Sequence, residues 1–217
     1  LRRGVALAAV LLASSAAAGT VTGVVTVVEK KGKAAEDVSE TVVYVDGARG
    51  RLPAQKAVVT MKSKAFHPRL TVIPVGGTVE FPNEDPIYHN VFSVSGENRF
   101  DLDLYKRPKS GSRTFEHPGI VRVFCNIHPQ MSAIIVVRDN PFFTRADDQG
   151  RFRIEGVPAG QYRLKAWHER GGETEAEITV SADGTTETHL ALDASSFRRV
   201  PHKNKYGKDY SAPTDRY

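Results

Sequence analysis

Cysteine is almost missing from this chain: Cys125 is the only one in 217 residues. A single thiol excludes an internal disulfide framework. It also makes Cys125 conspicuous, because a lone exposed thiol is a liability in oxidising surroundings. Methionine is scarce as well, with only Met61 and Met131, and Trp167 is the one tryptophan. No segment sustains a helical period, which argues against a helical bundle. Past the N-terminal stretch, no apolar run approaches the roughly 20 residues of a membrane-spanning helix, so no transmembrane segment is expected in the mature chain. A basic stripe on a predicted element is also lacking, which speaks against nucleic acid as a partner. The formal net charge of +5 is concentrated at the C-terminus, where Arg198, Arg199, Lys203, Lys205, Lys208 and Arg216 face only Asp209 and Asp215. That stretch reads as a flexible basic tail over 194–217.

What is present at the N-terminus indicates a compartment. Arg2 and Arg3 precede the apolar run Val5-Ala6-Leu7-Ala8-Ala9-Val10-Leu11-Leu12, and small residues follow to Ala16-Ala17-Ala18. A basic start, a short apolar centre and an A-x-A site describe a secretory signal peptide over 1–18, cleaved near Ala18. The uncharged stretch 4–19 is short for a membrane anchor. A periplasmic or otherwise exported protein is expected.

The remainder reads as all-β. Short runs of Val, Ile, Phe, Tyr and Thr alternate with turn residues, and predict strands near 21–28, 41–45, 56–62, 70–74, 78–81, 88–94, 113–115, 121–124 and 132–138. Asp139-Asn140-Pro141 marks a boundary. Beyond it, strands near 142–144, 152–154, 162–167, 173–180 and 185–192 form a second module. This second module has only about fifty residues, few enough to lean on its neighbour for stability. The expected division is therefore a first domain over 19–139 with an N-terminal extension, a small β-sandwich over 140–193, and the tail.

The chemistry concentrates in Phe124-Cys125-Asn126-Ile127-His128-Pro129-Gln130-Met131. On a strand, Cys125 and His128 would point to opposite faces, because the side-chain period is two. On a tight loop leaving a strand at Phe124, both turn inward, and Pro129 enforces departure from the ladder. Met131 arrives as the next strand begins, and His89 comes from a distant strand in Tyr88-His89-Asn90-Val91. Each residue alone has a bland reading: Cys125 and Met131 as core filler, His89 and His128 as hydrogen-bonding groups. Together, two His, one Cys and a weak Met make the ligand set of a blue-copper centre. Zinc competes for Cys and His; the Met and the lack of a second Cys or a carboxylate favour one copper ion. A Cys-His nucleophile has nothing obvious to supply an oxyanion hole.

The C-x2-H-x2-M spacing of Cys125, His128 and Met131 resembles the ligand loop of the amicyanin- and plastocyanin-like cupredoxins. Phe66, Pro68, Val72, Gly76, Thr78-Val79-Glu80-Phe81, Asn83, Asp85 and His89-Asn90-Val91 resemble that family's approach to its first ligand. The resemblance covers roughly 55–138. It implies a Greek-key sandwich with His89, Cys125, His128 and Met131 as type 1 copper ligands. It also implies that Asn90 hydrogen-bonds near the Cys125 loop and holds it, and that His128 is the electron exit.

The second module resembles carboxypeptidase-regulatory and transthyretin-like sandwiches through Asp147-x-x-Gly150-x-Phe152 and Val157-Pro158-x-Gly160-x-Tyr162-x-Leu164. A carbohydrate or cell-surface contact is an analogy at the level of fold. Trp167 reads as core before it reads as a sugar platform, and Asp147-Asp148 as an acidic turn before a calcium site. His67, His117, His168, His189 and His202 show no ligand pattern. The expectation is a non-enzymatic exported copper protein that passes single electrons between protein partners. A copper-handling or sensing protein, and an adhesion module with a vestigial metal site, are the alternatives.

Overall fold

The computed structural model describes residues 17–210. All but the last two residues of the expected signal peptide lie outside them. The described chain is built of strands: β1 (Ala18–Val28), β2 (Val42–Asp46), β3 (Lys56–Val58), β4 (Thr60–Lys62), β5 (Ala65–His67), β6 (Leu70–Pro74), β7 (Thr78–Pro82), β8 (His89–Ser93) and β9 (Phe100–Tyr105). These are followed by β10 (Ser110–Thr114), β11 (Gly119–Phe124), β12 (Ser132–Arg138), β13 (Phe143–Arg145), β14 (Arg151–Pro158), β15 (Gly160–His168), β16 (Gly172–Val180) and β17 (Thr185–Asp193). Among the described residues no helix is long and apolar enough to cross a membrane.

Two sandwiches result. In the central one, the sheet β6-β12-β11-β8-β9 faces β10-β7-β3, with the β4-β5 hairpin beside them. Phe81, Phe115, Val121, Val123, Ile135 and Met61 fill the space between. Strand β9, which no expected strand covers, pairs with β8 across a register shift between Asn90 and Phe92. Its sequence Phe-Asp-Leu-Asp-Leu-Tyr buries only its two ends, so the acidic, exposed middle hides the strand signal.

The second sandwich differs from expectation in where its strands come from. β1 lies between β14, antiparallel, and β17, parallel, while β2 lies between β13 and β15. The supposed N-terminal extension of the first domain is thus part of the second, and the central sandwich is inserted between β2 and β13. The physical reason is burial: Val21, Val25 and Val27 alternate into a core shared with Phe152, Ile154, Leu190 and Leu192. Gly23 permits the close approach, since a Cβ there would sit 1.9 Å from the Thr188 carbonyl oxygen.

The modules share a third apolar cluster of Val42, Tyr44, Leu70, Ile134, Val136 and Trp167. Strands β2 and β12 are buried on both faces, which is why Val42-Val43-Tyr44-Val45 and Ile134-Ile135-Val136-Val137 are unbroken apolar runs. In β12, Ala133, Ile135 and Val137 face the central core while Ile134 and Val136 face the other module. Fully burying side chains of this size contributes about 1.5–3 kcal/mol each. Around this seam Arg69 pairs with Glu40 and Glu169, and the Arg138 guanidinium lies 3.5 Å above the Tyr44 ring. Trp167 and His168 are buried, so neither offers a stacking face to a sugar. Asp147 accepts hydrogen bonds from the Gln149 and Arg151 backbone and pairs with the Arg151 side chain, the acidic turn expected of it.

Two outcomes follow. Val21→Asp places an unpaired charge in the β1–β14–β17 core and should cost several kcal/mol. Hydrogen exchange should then accelerate in β14 and β17, not in β7 and β10. Asp37 is held below the usual carboxylate range: burial raises it, but hydrogen bonds and charge from Arg170, with help from His168, outweigh that. A depressed carboxylate stabilises the fold above its unfolded value of about 3.9 and loses that contribution as pH falls through its folded value. Denaturant midpoints followed downward from pH 5 should fall less steeply in Asp37→Asn than in the parent chain.

Candidate metal centre

His89 opens β8, and Phe124 closes β11 opposite Phe92 of β8. That pairing brings the start of the 125–131 loop beside Asn90. The loop is closed by its own backbone: Cys125 N–H donates to the Met131 carbonyl at 3.3 Å, and Met131 N–H donates to the His128 carbonyl at 3.0 Å. Neither residue continues a ladder there, so Cys125 and His128 are released from strand alternation, as the loop reading requires.

The donor atoms of His89, Cys125 and His128 all lie within 4.8 Å of one another. His89 Nδ1 is 3.0 Å from His128 Nδ1, and Cys125 Sγ is 3.6 Å from His128 Nδ1. His89 and Cys125 are fully buried, while His128 is partly exposed. Met131 stands at the far end of the loop, fully buried in the same core cluster as Cys125. The surroundings tune each group. Burial raises the Cys125 thiol above its ordinary value, although backbone N–H groups of Asn90, Ile127 and His128 face it. The metal-free sulfur therefore keeps its proton at neutral pH and releases it when a cation takes its place. Burial, with the neighbouring His89 and Lys64, lowers His128 to about 4, leaving its imidazole neutral and able to donate a lone pair.

Asn90 lies beside the loop and meets it through its backbone. Its backbone N–H points at Cys125 Sγ, 3.4 Å away. Its side chain instead donates to Asp101 Oδ1 at 2.7 Å and to the Asp103 carbonyl at 2.9 Å, tying β8 to β9.

Asp85 has a role that sequence reading did not assign. Its Oδ2 lies 2.8 Å from His89 Nε2, on the side of the ring facing away from Cys125 and His128. Ser63 and Lys64, both with positive φ in the β4–β5 turn, donate their backbone N–H groups to the same carboxylate at 2.7 and 2.9 Å. Burial pushes Asp85 up, yet these bonds and the one from His89 hold it below the usual range. The carboxylate orients the ring and raises the basicity of its other nitrogen. The Asp-x-x-x-His spacing of Asp85 and His89 was the available signal, but the Ser63-Lys64 cradle comes from a distant turn.

One thiol and two imidazoles, one of them backed by a carboxylate, suit a thiophilic transition metal. The donor set fits copper or zinc and offers no oxygen-rich cage for calcium or magnesium.

Comparison with known proteins adds the following. Residues 127–188 match the family described as polysaccharide lyase family 4, domain II; the match starts in the ligand loop and omits β1 and β2. No curated protein matches the chain. Among solved structures, a copper-containing nitrite reductase from Thermus scotoductus SA-01 is similar at 32% identity over 43% of this chain, with a TM-score of 0.37. The chain spans only 24% of that enzyme. A purple cupredoxin from Nitrosopumilus maritimus is similar at 23% identity, over 39% of this chain and 99% of that one, with a TM-score of 0.33. A reduced amicyanin mutant is similar at 23% identity, over 44% and 98% of the two chains, with a TM-score of 0.37. By its own strand pairing and core, the central module is a two-sheet β-sandwich.

Asp85→Asn keeps the shape of the side chain and removes its charge. Titration with Cu(II) or Co(II) should show affinity roughly 10–100-fold weaker than in the parent, with the fold retained.

Proposed function

We propose that the protein is an exported type 1 copper carrier that passes single electrons between redox proteins. His89, Cys125 and His128 would be its strong ligands and Met131 the weak axial one. The observation that carries this reading is the convergence of His89 Nδ1, Cys125 Sγ and His128 Nδ1, with Asp85 behind His89. Zinc shares those donors. Met131 at the loop's end, one lone thiol and a carboxylate already engaged with His89 Nε2 favour copper.

Bound copper would supply one-electron redox chemistry, and the chain's part is to hold its donors still. His89 is fixed from behind by Asp85, and Cys125 by the strand end at Phe124 and the bond from its N–H to Met131. The core around Cys125 and Met131 excludes water. A donor set held this rigidly changes little when charge arrives or leaves, which is what fast transfer between proteins requires. The role proposed for these donors is that of a carrier rather than an enzyme. The partners would be redox proteins meeting the partly exposed His128, and the basic, apolar N-terminus points to export.

Loading the purified protein with Cu(II) should give an intense thiolate-to-copper absorption band and a narrow copper hyperfine splitting in EPR. Cys125→Ser should abolish the colour, whereas Met131→Leu should keep copper and raise its potential. A colourless protein that prefers zinc overturns the reading.

A further inference from the structure

The C-terminal segment is not a free tail over its described part. After β17 the chain crosses back to the central module and lies on the outside of the ligand loop. The Tyr210 hydroxyl donates to the carbonyl of Cys125 at 2.9 Å. His202 Nε2–H donates to the carbonyl of Pro129 at 2.8 Å, and the His202 ring stacks on Phe124 with centroids 3.9 Å apart. The backbone N–H of Lys205 donates to Asn126 Oδ1 at 3.0 Å. Four successive points of the loop and its entry, at Phe124, Cys125, Asn126 and Pro129, are therefore held from outside.

The segment is itself organised. The Asn204 side chain accepts from Tyr206 N–H at 2.9 Å and Lys208 N–H at 3.1 Å, Gly207 N–H returns to the Asn204 carbonyl at 2.9 Å, and Lys203 pairs with Asp209. Tyr210 and His202 meet edge to face, with the hydroxyl 3.2 Å from Nδ1. Lys205 adds a second anchor through Asp101, the carboxylate that also accepts the Asn90 side chain. The turn thus reaches the loop that carries Cys125 and His128 and also β9, whose Asp101 is bonded in turn to Asn90 of β8. The expectation of a flexible basic tail is corrected for 202–210; residues 211–217 lie outside the described residues.

We propose that this segment is a clamp on the metal centre, with His202, Lys205 and Tyr210 as positioning residues that keep the 125–131 loop closed and slow the escape of its metal. The inference rests on the metal-binding reading above. Cys125 and His128 are three residues apart on one loop, so a metal leaves most readily when that loop swings outward from the sandwich. Outward movement must break the bonds to the Cys125 and Pro129 carbonyls and unstack His202 from Phe124. Among the described residues no backbone N–H donates to the Cys125 or Pro129 carbonyl, so the clamp supplies contacts that a bare loop would leave to water. None of the three residues touches the donor atoms, and their effect passes through the backbone of the ligands.

The experiment compares the full chain with Tyr210→Phe, with the double variant His202→Ala/Tyr210→Phe, and with a chain ending at Ser196. Hydrogen exchange of the peptide containing 125–131 is measured first, on metal-free protein. It should accelerate by about two- to tenfold in Tyr210→Phe and more in the other two. Exchange in β14 and β17 should stay unchanged, which separates loss of the clamp from general unfolding. Release of Cu(I) to an excess of a strong chelator is measured second, and should be roughly tenfold faster in the double variant. Unchanged loop exchange in Tyr210→Phe and the double variant overturns the clamp. Faster exchange with unchanged release overturns its role in retention. A parent chain that binds no copper fails the functional reading and the retention with it, whereas the exchange data still report on the clamp itself.

Discussion

The burial of β12 on both faces is the constraint on which the molecule depends. Its inner residues Ala133, Ile135 and Val137 close the core containing Cys125 and Met131. Its outer residues Ile134 and Val136 seat the second sandwich. The strand begins one residue after Met131, so the end of the ligand loop is fixed by the same packing that joins the modules. A shift of β12 by one register step would exchange its two faces and displace both at once. The seam against the second module therefore holds one wall of the candidate site in place.

The candidate site shows how a sandwich accommodates a buried thiol and a buried imidazole. Neither is stabilised by a full opposite charge at its donor atom. Cys125 receives backbone N–H groups, and His89 receives a carboxylate on its far nitrogen. Asp85 is in turn satisfied by two backbone donors from a turn whose residues have left-handed conformations. Polar groups in an apolar interior are tolerated when each has a partner, and here the partners form a chain from the Ser63-Lys64 turn through Asp85 to His89.

Much of this was legible in the sequence, and the parts that were not share a cause. Cys125, His128 and Met131 were readable because a short loop places them by local spacing. Strand β16, with its alternation over Glu173–Val180, was readable for the same reason. The partner of β1 was not, because its neighbours lie at 151–158 and 185–193 and nothing local encodes which sheet a valine-rich strand joins. Strand β9 was hidden by Asp101 and Asp103 on its exposed stretch. Asn90 lies near the loop and bonds it through its backbone, while its side-chain partners, Asp101 and the Asp103 carbonyl, lie on the strand that was not expected. Lys205 and His202 looked like solvated polar residues until Asp101, Asn126 and Pro129 supplied their partners.

The inserted topology also sets an order of assembly. As the chain emerges, β1 has both edges bare until β14 and then β17 appear, with the entire central module made in between. Pairings so distant in sequence are slow to close, and a valine-rich strand left waiting invites mispairing. The central module, whose strands run consecutively from β3 to β12, has all its own partners much earlier. The residues that cover the ligand loop follow β17, so they are the last of the described chain to arrive. On the clamp reading, the 125–131 loop would stay open to a metal until residues 202–210 have been made and laid over it.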